Sequence, residues 1–184
     1  MKKITIMPER LAFIVVSVIL NLGIGFLIAT VRLPFYLDSI GTVLAACVLG
    51  PVCGIIVGVI TVLIGAIYMP TLPAYVGTAI VIALYVGVLR RYGYLKKWIP
   101  TIFCGIGLGV VSAIVSAPIT AIVYGGVSLA GTDAITALLI ASGKNVLESV
   151  VLSGIASDPI DKLLTSIIVM LLIKRLPATF VKNV

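Results

Sequence analysis

Side chains that could do chemistry are few in this chain, since only 10% of its 184 residues are charged and it has no histidine. The sequence contains no spaced set of metal ligands and no glycine-rich phosphate loop followed by lysine. Its cysteines, Cys47, Cys53 and Cys104, lie apart in apolar runs, which is typical of small buried side chains rather than of a zinc site or a disulfide framework. We therefore expect no catalytic residues, no bound metal and no cofactor.

The remaining candidates are polar groups suited to binding, and they lie near the ends of apolar runs: Asp38, Tyr68, Asn145, Glu148, Asp161 and Lys162. Charge close to a membrane is costly, which makes it a pointer to function. Asn145 and Glu148 are three residues apart and would share one face of a helix, where both can hydrogen-bond a polar ring. For Asp161 and Lys162, capping of a helix is an equally good explanation. Nearby tyrosines either anchor at the membrane interface or stack on a bound ring.

The composition is that of an all-α integral membrane protein. Hydrophobic residues make up 61% of the chain and the mean hydropathy is +1.33, whereas a soluble domain has roughly 25% charged residues. The first apolar run, residues 11–31, is longer than the core of a signal peptide, about 7–15 residues, so we expect it to remain as a span. The length corresponds to a single membrane domain covering residues 1–184.

The helices that must position these polar groups can be counted once a helix break is placed at Gly50-Pro51. Residues 38–68 form a run of 31 residues with no charged side chain after Asp38. This run is longer than the roughly 20 residues that cross a bilayer. Proline disfavours a helix at its own position and at the one before it. Two short helices folded there give an even number of spans between the basic amino end and the basic loop at residues 90–97. The sequence thus predicts about six spans with both termini in the cytoplasm.

The segment at residues 125–157 is ambiguous, because glycines interrupt it. We expect two short helices, at residues 133–142 and 144–153, that lie on or dip into the outer face. The last span is predicted to begin at Ser157 or Asp158, with Pro159 in its first turn. In the fifth span, Pro118 predicts a kink beside a cavity.

The net charge of +7 at pH 7 is explained by membrane orientation. Ten of the thirteen Lys and Arg residues lie near the two termini and in the loop at residues 90–97, whereas five of the six acidic residues lie on the other side. This distribution is the positive-inside pattern of membrane proteins. No nucleic-acid partner is expected.

Small residues recur every four positions along the first span and form one face of it: Ser17, Asn21, Gly25 and Ala29. Such faces let helices approach closely in lipid. Either this face packs against a helix of the same chain, which the sequence alone favours, or it docks another subunit. In the second case, Gly25→Leu would abolish assembly and leave ligand binding intact.

Three motifs resemble those of the substrate-binding S components of energy-coupling factor (ECF) vitamin transporters. They are YLDSIGT at residues 36–42, LGP at residues 49–51 followed by small residues, and SDPIDKLL at residues 157–164. Chain length, the predicted number of spans and the basic loop agree with this family over nearly the whole sequence. The small-residue face resembles the family's AxxxA docking motif, although its residues differ here.

The resemblance implies a chain in the lipid of the bacterial plasma membrane that binds one small vitamin from outside. Its partners would be a transmembrane coupling subunit and two ATPase subunits that supply the energy, and the S component would topple in the membrane to deliver its ligand. Within the family, the sequence is most similar to members for hydroxymethylpyrimidine or pyridoxine, with riboflavin as the next candidate. Alternatives of another class are a self-sufficient secondary transporter or channel, which often has an internal repeat, and a membrane enzyme or assembly factor.

Overall fold

The computed structural model describes residues 8–177, and in that part of the chain it shows helices and no strand. The α-helices are α1 (Pro8–Val31), α2 (Ile40–Val48), α3 (Pro51–Gly65), α4 (Val76–Leu89), α5 (Trp98–Pro118), α6 (Asp133–Ala141) and α7 (Val146–Ile173). Short 3-10 turns cover Leu72–Tyr75, Arg90–Tyr92 and Tyr94–Lys96, and a π-helical turn at Ile119–Val123 continues α5 past Pro118. The predicted all-α fold is confirmed.

Within residues 8–177, three helical segments are long and apolar enough to cross a membrane: Pro8–Val31, Leu72–Tyr92 and Trp98–Val123. α3 is a shorter apolar helix of 15 residues, and α2 has only 9, which at 1.5 Å per residue gives about 14 Å. α7 has 28 residues but carries charged side chains near its middle. Length and composition thus indicate a helical membrane protein.

The break predicted at Gly50-Pro51 is confirmed. α3 begins at Pro51, where a missing N–H is harmless because the first turn of a helix leaves its N–H groups unpaired. Gly50 has a φ of +111°, in the region that favours glycine over other residues. The turn lies against the carboxyl end of α4, where Arg90 Nη1 donates a hydrogen bond of 3.5 Å to the Ala46 carbonyl. α2 and α3 therefore form a hairpin whose tip lies beside the basic loop.

One face of α1 packs on this hairpin through polar contacts. The Asn21 side chain is fully buried, and its Nδ2 donates hydrogen bonds to the hydroxyls of Thr42 and Thr61 at 2.9 and 3.0 Å. Its Oδ1 accepts a hydrogen bond of 2.6 Å from the Gly41 backbone amide. Ser17 lies against Gly41, where a side chain on α2 would collide with the α1 backbone. A single amide thus joins three helices.

The prediction that this face docks another subunit is wrong for Ser17, Asn21 and Gly25, because all three are buried inside the chain. Ala29 is half-buried and lines a cavity between the helices. Packing against helices of the same chain, the alternative, is what the structure shows. The outward face of α1 consists of large apolar side chains such as Leu27, which is 63% exposed.

The predicted start of the last span at Ser157 or Asp158 is wrong, because α7 runs unbroken from Val146 and contains Pro159 in its interior. At this point α5 approaches so closely that a side chain at Gly109 would collide with Pro159. The tight packing of two helix backbones holds α7 together across the proline.

The true start of α7 is fixed by Asn145, whose side chain accepts a hydrogen bond of 2.9 Å from the Glu148 backbone amide. This is an N-cap, which satisfies one of the unpaired N–H groups of the first turn. Of the two short helices predicted in this region, α6 confirms the first. The second, residues 144–153, is wrong as a separate helix because it forms the start of α7.

The basic loop at residues 90–97 marks one end of the bundle. Tyr94 is buried in a cluster with Met170 near the carboxyl end of α7, and the Lys174 ammonium lies 5.4 Å from the centre of the Trp98 ring. The amino-terminal half of α1 packs against the carboxyl half of α2, so α1 begins at this end as well. The described ends of the chain therefore lie beside the basic loop. Three basic residues that entered the topology prediction are outside the described residues: Lys2, Lys3 and Lys182.

This arrangement predicts that positions 92 and 127 face opposite sides of the membrane. Tyr92 is 80% exposed in the basic loop, and Val127 is 58% exposed in the loop after α5. With the native cysteines replaced by alanine, Tyr92→Cys should react with a membrane-impermeant maleimide only from the cytoplasmic side, because basic loops stay inside. Val127→Cys should react only from the outside, and labelling of both positions from one side would contradict the topology.

Candidate ligand-binding cavity

A cavity of about 120 Å³, measured as the space open to the centre of a water-sized sphere, lies at the end of the bundle opposite the basic loop. One water molecule needs roughly 10–15 Å³ by that measure, so the cavity has room for several waters or for one small organic molecule. Its wall is built from α1 to α5 and α7, together with the loops that follow α1, α3 and the π-helical turn.

A buried ion pair on α7 borders this cavity through Lys162. Lys162 is 3% exposed and Asp161 is fully buried, and the Lys162 ammonium donates hydrogen bonds to Asp161 Oδ2 and, at 2.9 Å, to the Ser39 hydroxyl. The other oxygen of Asp161 accepts hydrogen bonds from the backbone amides of Tyr36 and Leu37 at 3.0 and 2.7 Å. The pair thus fastens the loop after α1 to the middle of α7.

Two further carboxylates line the cavity. Asp38 Oδ1 lies 3.9 Å from the Lys162 ammonium, beyond hydrogen-bond distance. Burial raises the pKa of the Asp38 carboxyl above its ordinary value, and the charge of Lys162 opposes that shift. Asp158 is 5% exposed, and it accepts a hydrogen bond of 3.3 Å from the Ser157 hydroxyl. The cavity thus contains more acidic than basic side chains.

Most of the other polar groups in the wall are hydroxyls, which both donate and accept hydrogen bonds. Of the twenty-eight described residues that line the cavity, twelve are Ser, Thr or Tyr, and they include Thr42, Thr61, Thr78, Ser112, Ser116 and Thr120. Apolar side chains such as Ile28, Val62 and Ile82 fill the space between them. A wall of this kind suits a small, partly apolar ligand with several polar substituents.

The loops over the cavity are tied to one another by hydrogen bonds. The hydroxyls of Tyr36 and Thr132 are 2.8 Å apart. The Thr71 hydroxyl donates a hydrogen bond of 2.8 Å to the Ser128 carbonyl, and the Tyr124 hydroxyl donates one of 3.1 Å to the Thr71 carbonyl. Three segments distant in sequence therefore cover the cavity as one connected layer.

Tyrosines account for the aromatic surface around the cavity. Tyr36, Tyr68 and Tyr75 line it, and the ring of Tyr75 stacks on Tyr124 with centroids 6.2 Å apart. The Tyr68 ring meets Phe26 of α1 edge-on at 5.5 Å. These rings are held by protein contacts, yet three of them remain next to the space a ligand would occupy.

Of the six binding residues predicted from the sequence, Asp38, Tyr68 and Lys162 line the cavity and Asp161 lies directly behind Lys162. The explanation that the last two cap a helix is wrong, because they lie in the middle of α7. Their role in binding stays a prediction.

Asn145 and Glu148 are not at this cavity. Both are exposed, Asn145 caps α7, and Glu148 forms a salt bridge of 2.6 Å with Lys144. Their three-residue spacing reflects the start of a helix rather than a shared binding face. The structure thus places both residues outside this cavity, and ligand binding at them stays a prediction.

Sequence reasoning missed Asp158 and the helical hydroxyls as lining residues. Asp158 is four residues before Lys162, so both lie on one face of α7. Ser112, Ser116 and Thr120 are likewise four apart on α5 and its continuation. Polar residues repeated at helical spacing inside apolar runs are the signal that would have identified this wall.

Comparison of the chain with known protein families, with curated proteins and with solved structures gives no match.

The structure predicts that the buried and exposed ion pairs of α7 differ sharply in their effect on stability. Asp161→Ala leaves Lys162 without its closest partner and frees two backbone amides, so we expect a loss of about 3–5 kcal/mol. Glu148→Ala breaks an exposed pair between positions four apart and should cost about 0.5 kcal/mol or less. Thermal unfolding of both variants in detergent measures the difference, and equal stability of the two would contradict this account of the site.

Proposed function

We propose that this chain is the substrate-specificity subunit, or S component, of an ECF-type importer in the bacterial plasma membrane. The observation that supports this most is a cavity lined by hydroxyls, carboxylates and apolar side chains at the end of an apolar helical bundle opposite its basic end. Basic ends of membrane proteins face the cytoplasm, so the cavity would open toward the outside. A subunit that captures a scarce nutrient needs such a site there.

The proposed ligand is a small vitamin or precursor of the hydroxymethylpyrimidine or pyridoxine type. A cavity of about 120 Å³ suits a single ring with short polar substituents better than the three fused rings and ribityl chain of riboflavin. Tyr36, Tyr68 and Tyr75 offer aromatic surface to such a ring, and the surrounding hydroxyls offer partners for its substituents.

Transport would require a transmembrane coupling subunit and two ATPase subunits, since this chain has no phosphate-binding loop of the ATPase type. Counting the hairpin of α2 and α3 as two short spans and α7 as the last gives six spans with both termini in the cytoplasm. The small-residue face of α1 is buried, so the coupling subunit would contact outward apolar surface instead. Toppling of the whole bundle in the membrane would carry the bound ligand inward.

A second candidate is a self-sufficient secondary transporter. It is favoured by the buried Lys162–Asp161 pair beside the cavity, because charged pairs at membrane depth often serve ion or proton coupling. The two candidates differ in whether this chain moves its ligand alone.

We predict that purification of the chain from its native membrane in mild detergent brings ATPase subunits with it, and that the chain alone in liposomes accumulates no labelled ligand. Labelled hydroxymethylpyrimidine and pyridoxine are the first probes, with riboflavin as the third. Ion-gradient-driven uptake by the chain alone would favour the secondary transporter. Absence of binding to any of a panel of vitamins and precursors would exclude the S-component proposal.

The position of Gly25 in the cavity wall gives a second prediction. A Cβ there would lie 3.1 Å from Asp38 Cβ and 3.2 Å from the Tyr68 hydroxyl, so Gly25→Leu should fill the cavity. Overpacking costs about 1–3 kcal/mol, and ligand affinity should fall roughly ten- to hundredfold. This expectation reverses the one drawn from the sequence, in which binding stayed intact.

The control for that variant is Gly23→Leu, on the same helix. A Cβ at position 23 meets no atom within 4 Å, so calorimetry should give the affinity of the unmodified chain. If Gly25→Leu also binds with unchanged affinity, the ligand does not occupy this cavity.

A further inference from the structure

The cavity has an unbalanced set of charges. Asp38, Asp158 and Lys162 line it, and Asp161 lies immediately behind. Among the described residues, Lys162 is the only Lys or Arg whose nitrogen lies within 4 Å of any of these carboxylates. Ionised carboxylates that are withdrawn from water need a partner of opposite charge or hydrogen-bond donors. One lysine faces three of them.

The Lys162 ammonium already forms hydrogen bonds within the protein. It donates hydrogen bonds to Asp161 and to the Ser39 hydroxyl, and Asp38 is too far away, at 3.9 Å, to accept a third. Asp161 in turn is fully used by the lysine and two backbone amides. A ligand that approached Lys162 with a negative charge would have to displace Asp161 and would lie beside Asp38 and Asp158.

Asp158 has no Lys or Arg nitrogen within 4 Å among the described residues. Its side chain accepts one hydrogen bond, of 3.3 Å, from Ser157, which is a long contact for two oxygens. Only 5% of the residue is exposed, yet it borders the cavity. It therefore offers lone pairs to whatever occupies that space.

A second, independent feature of the wall is an unpaired hydroxyl. The Thr78 hydroxyl on α4 is buried, with 7% of the residue exposed, and among the described residues it has no hydrogen-bond partner. Thr78 borders the same cavity. Buried polar groups are almost always hydrogen-bonded, and of the six unpaired buried hydroxyls among the described residues only that of Thr78 belongs to a residue bordering the cavity.

We propose that the ligand of this cavity carries a positively charged or protonatable nitrogen with hydrogen-bond donors, and that this group lies against Asp38 and Asp158. The proposal rests on the proposed binding function and narrows its substrate class. An amino-substituted nitrogen heterocycle meets the requirement, because its N–H groups match carboxylate oxygens and its ring matches the tyrosines and aliphatic side chains of the wall. Ligands that carry a carboxylate or phosphate are excluded by the same charges.

The test uses ligands that differ only in charge. Three 4-amino-2-methylpyrimidines carry at position 5 an aminomethyl, a hydroxymethyl or a carboxyl group, and three pyridines related to pyridoxine carry the same three substituents. Calorimetry on the purified full-length chain in detergent gives the dissociation constant of each. In the series that binds, the aminomethyl compound should bind at least about tenfold more tightly than the hydroxymethyl compound, since hydrogen bonds to charged groups are the stronger ones. The carboxyl compound should not saturate the protein.

Asp158→Asn removes one negative charge with almost no change in volume and should weaken binding of the aminomethyl compound by about ten- to hundredfold. The preference over the hydroxymethyl compound should fall with it. Glu148→Gln removes a negative charge from an exposed position of the same helix, outside the cavity, and should leave all affinities unchanged.

The outcomes separate this proposal from the proposed function. Equal or tighter binding of the hydroxymethyl or carboxyl compounds by the unmodified chain would overturn the charge proposal while the binding function stands. Unchanged selectivity in Asp158→Asn would overturn it as well. Absence of binding by all six compounds would overturn both proposals for these ring systems. The comparison among ligands on the unmodified chain holds even if the Asp158→Asn chain fails to fold.

Discussion

The half of the bundle opposite the basic loop depends on the buried pair of Asp161 and Lys162. Asp161 accepts two backbone amides from a loop more than 120 residues away in sequence, and Lys162 reaches Ser39, which directly precedes α2. The hydrophobic effect does little to favour one arrangement of helices over another in lipid, because lipid tails are as apolar as leucine. Polar contacts must then specify which segments meet. This pair does so for α7 and the loop after α1, and that loop carries Asp38 into the cavity wall.

Asn21 has the same role at the depth of the helices, with a neutral amide in place of charges. It donates to hydroxyls on α2 and α3 and accepts the Gly41 amide, so all three helices share one buried group. Its contacts also turn Thr42 and Thr61, two residues of the cavity wall, toward α1. The α1–α2–α3 side and the α7 side are therefore each set by one polar centre. The cavity lies between the two centres, since Thr42 and Thr61 on one side and Lys162 on the other line it.

Features with a local cause could be predicted from the sequence, whereas those with a tertiary cause could not. The hairpin break follows from the backbone chemistry of Gly50-Pro51 alone. The course of α7 across Pro159 depends on close packing with Gly109 of α5, which no local pattern reveals. Asn145 and Glu148 were assigned to binding by their spacing, although an N-cap followed three residues later by Glu is also a helix-start signal. Asp38, Tyr68 and Lys162 stood out because they are polar groups in an apolar chain, whereas Ser and Thr at helical spacing serve packing equally often.

The hydroxyls of the wall differ from its carboxylates in how they are satisfied without a ligand. Ser116 donates to the Ala113 carbonyl and Thr120 to the Ser116 carbonyl of the same helical segment. Both hydroxyls therefore keep a hydrogen bond, and the fold loses little stability, when the cavity is empty. A ligand that bonds to them must replace contacts already made, and the net gain is small. Asp158 has only the long contact with Ser157 of its own helix, and Thr78 has no partner among the described residues. The choice of ligand therefore depends on these few unsatisfied groups, while the many hydroxyls keep the wall polar at little cost to the fold.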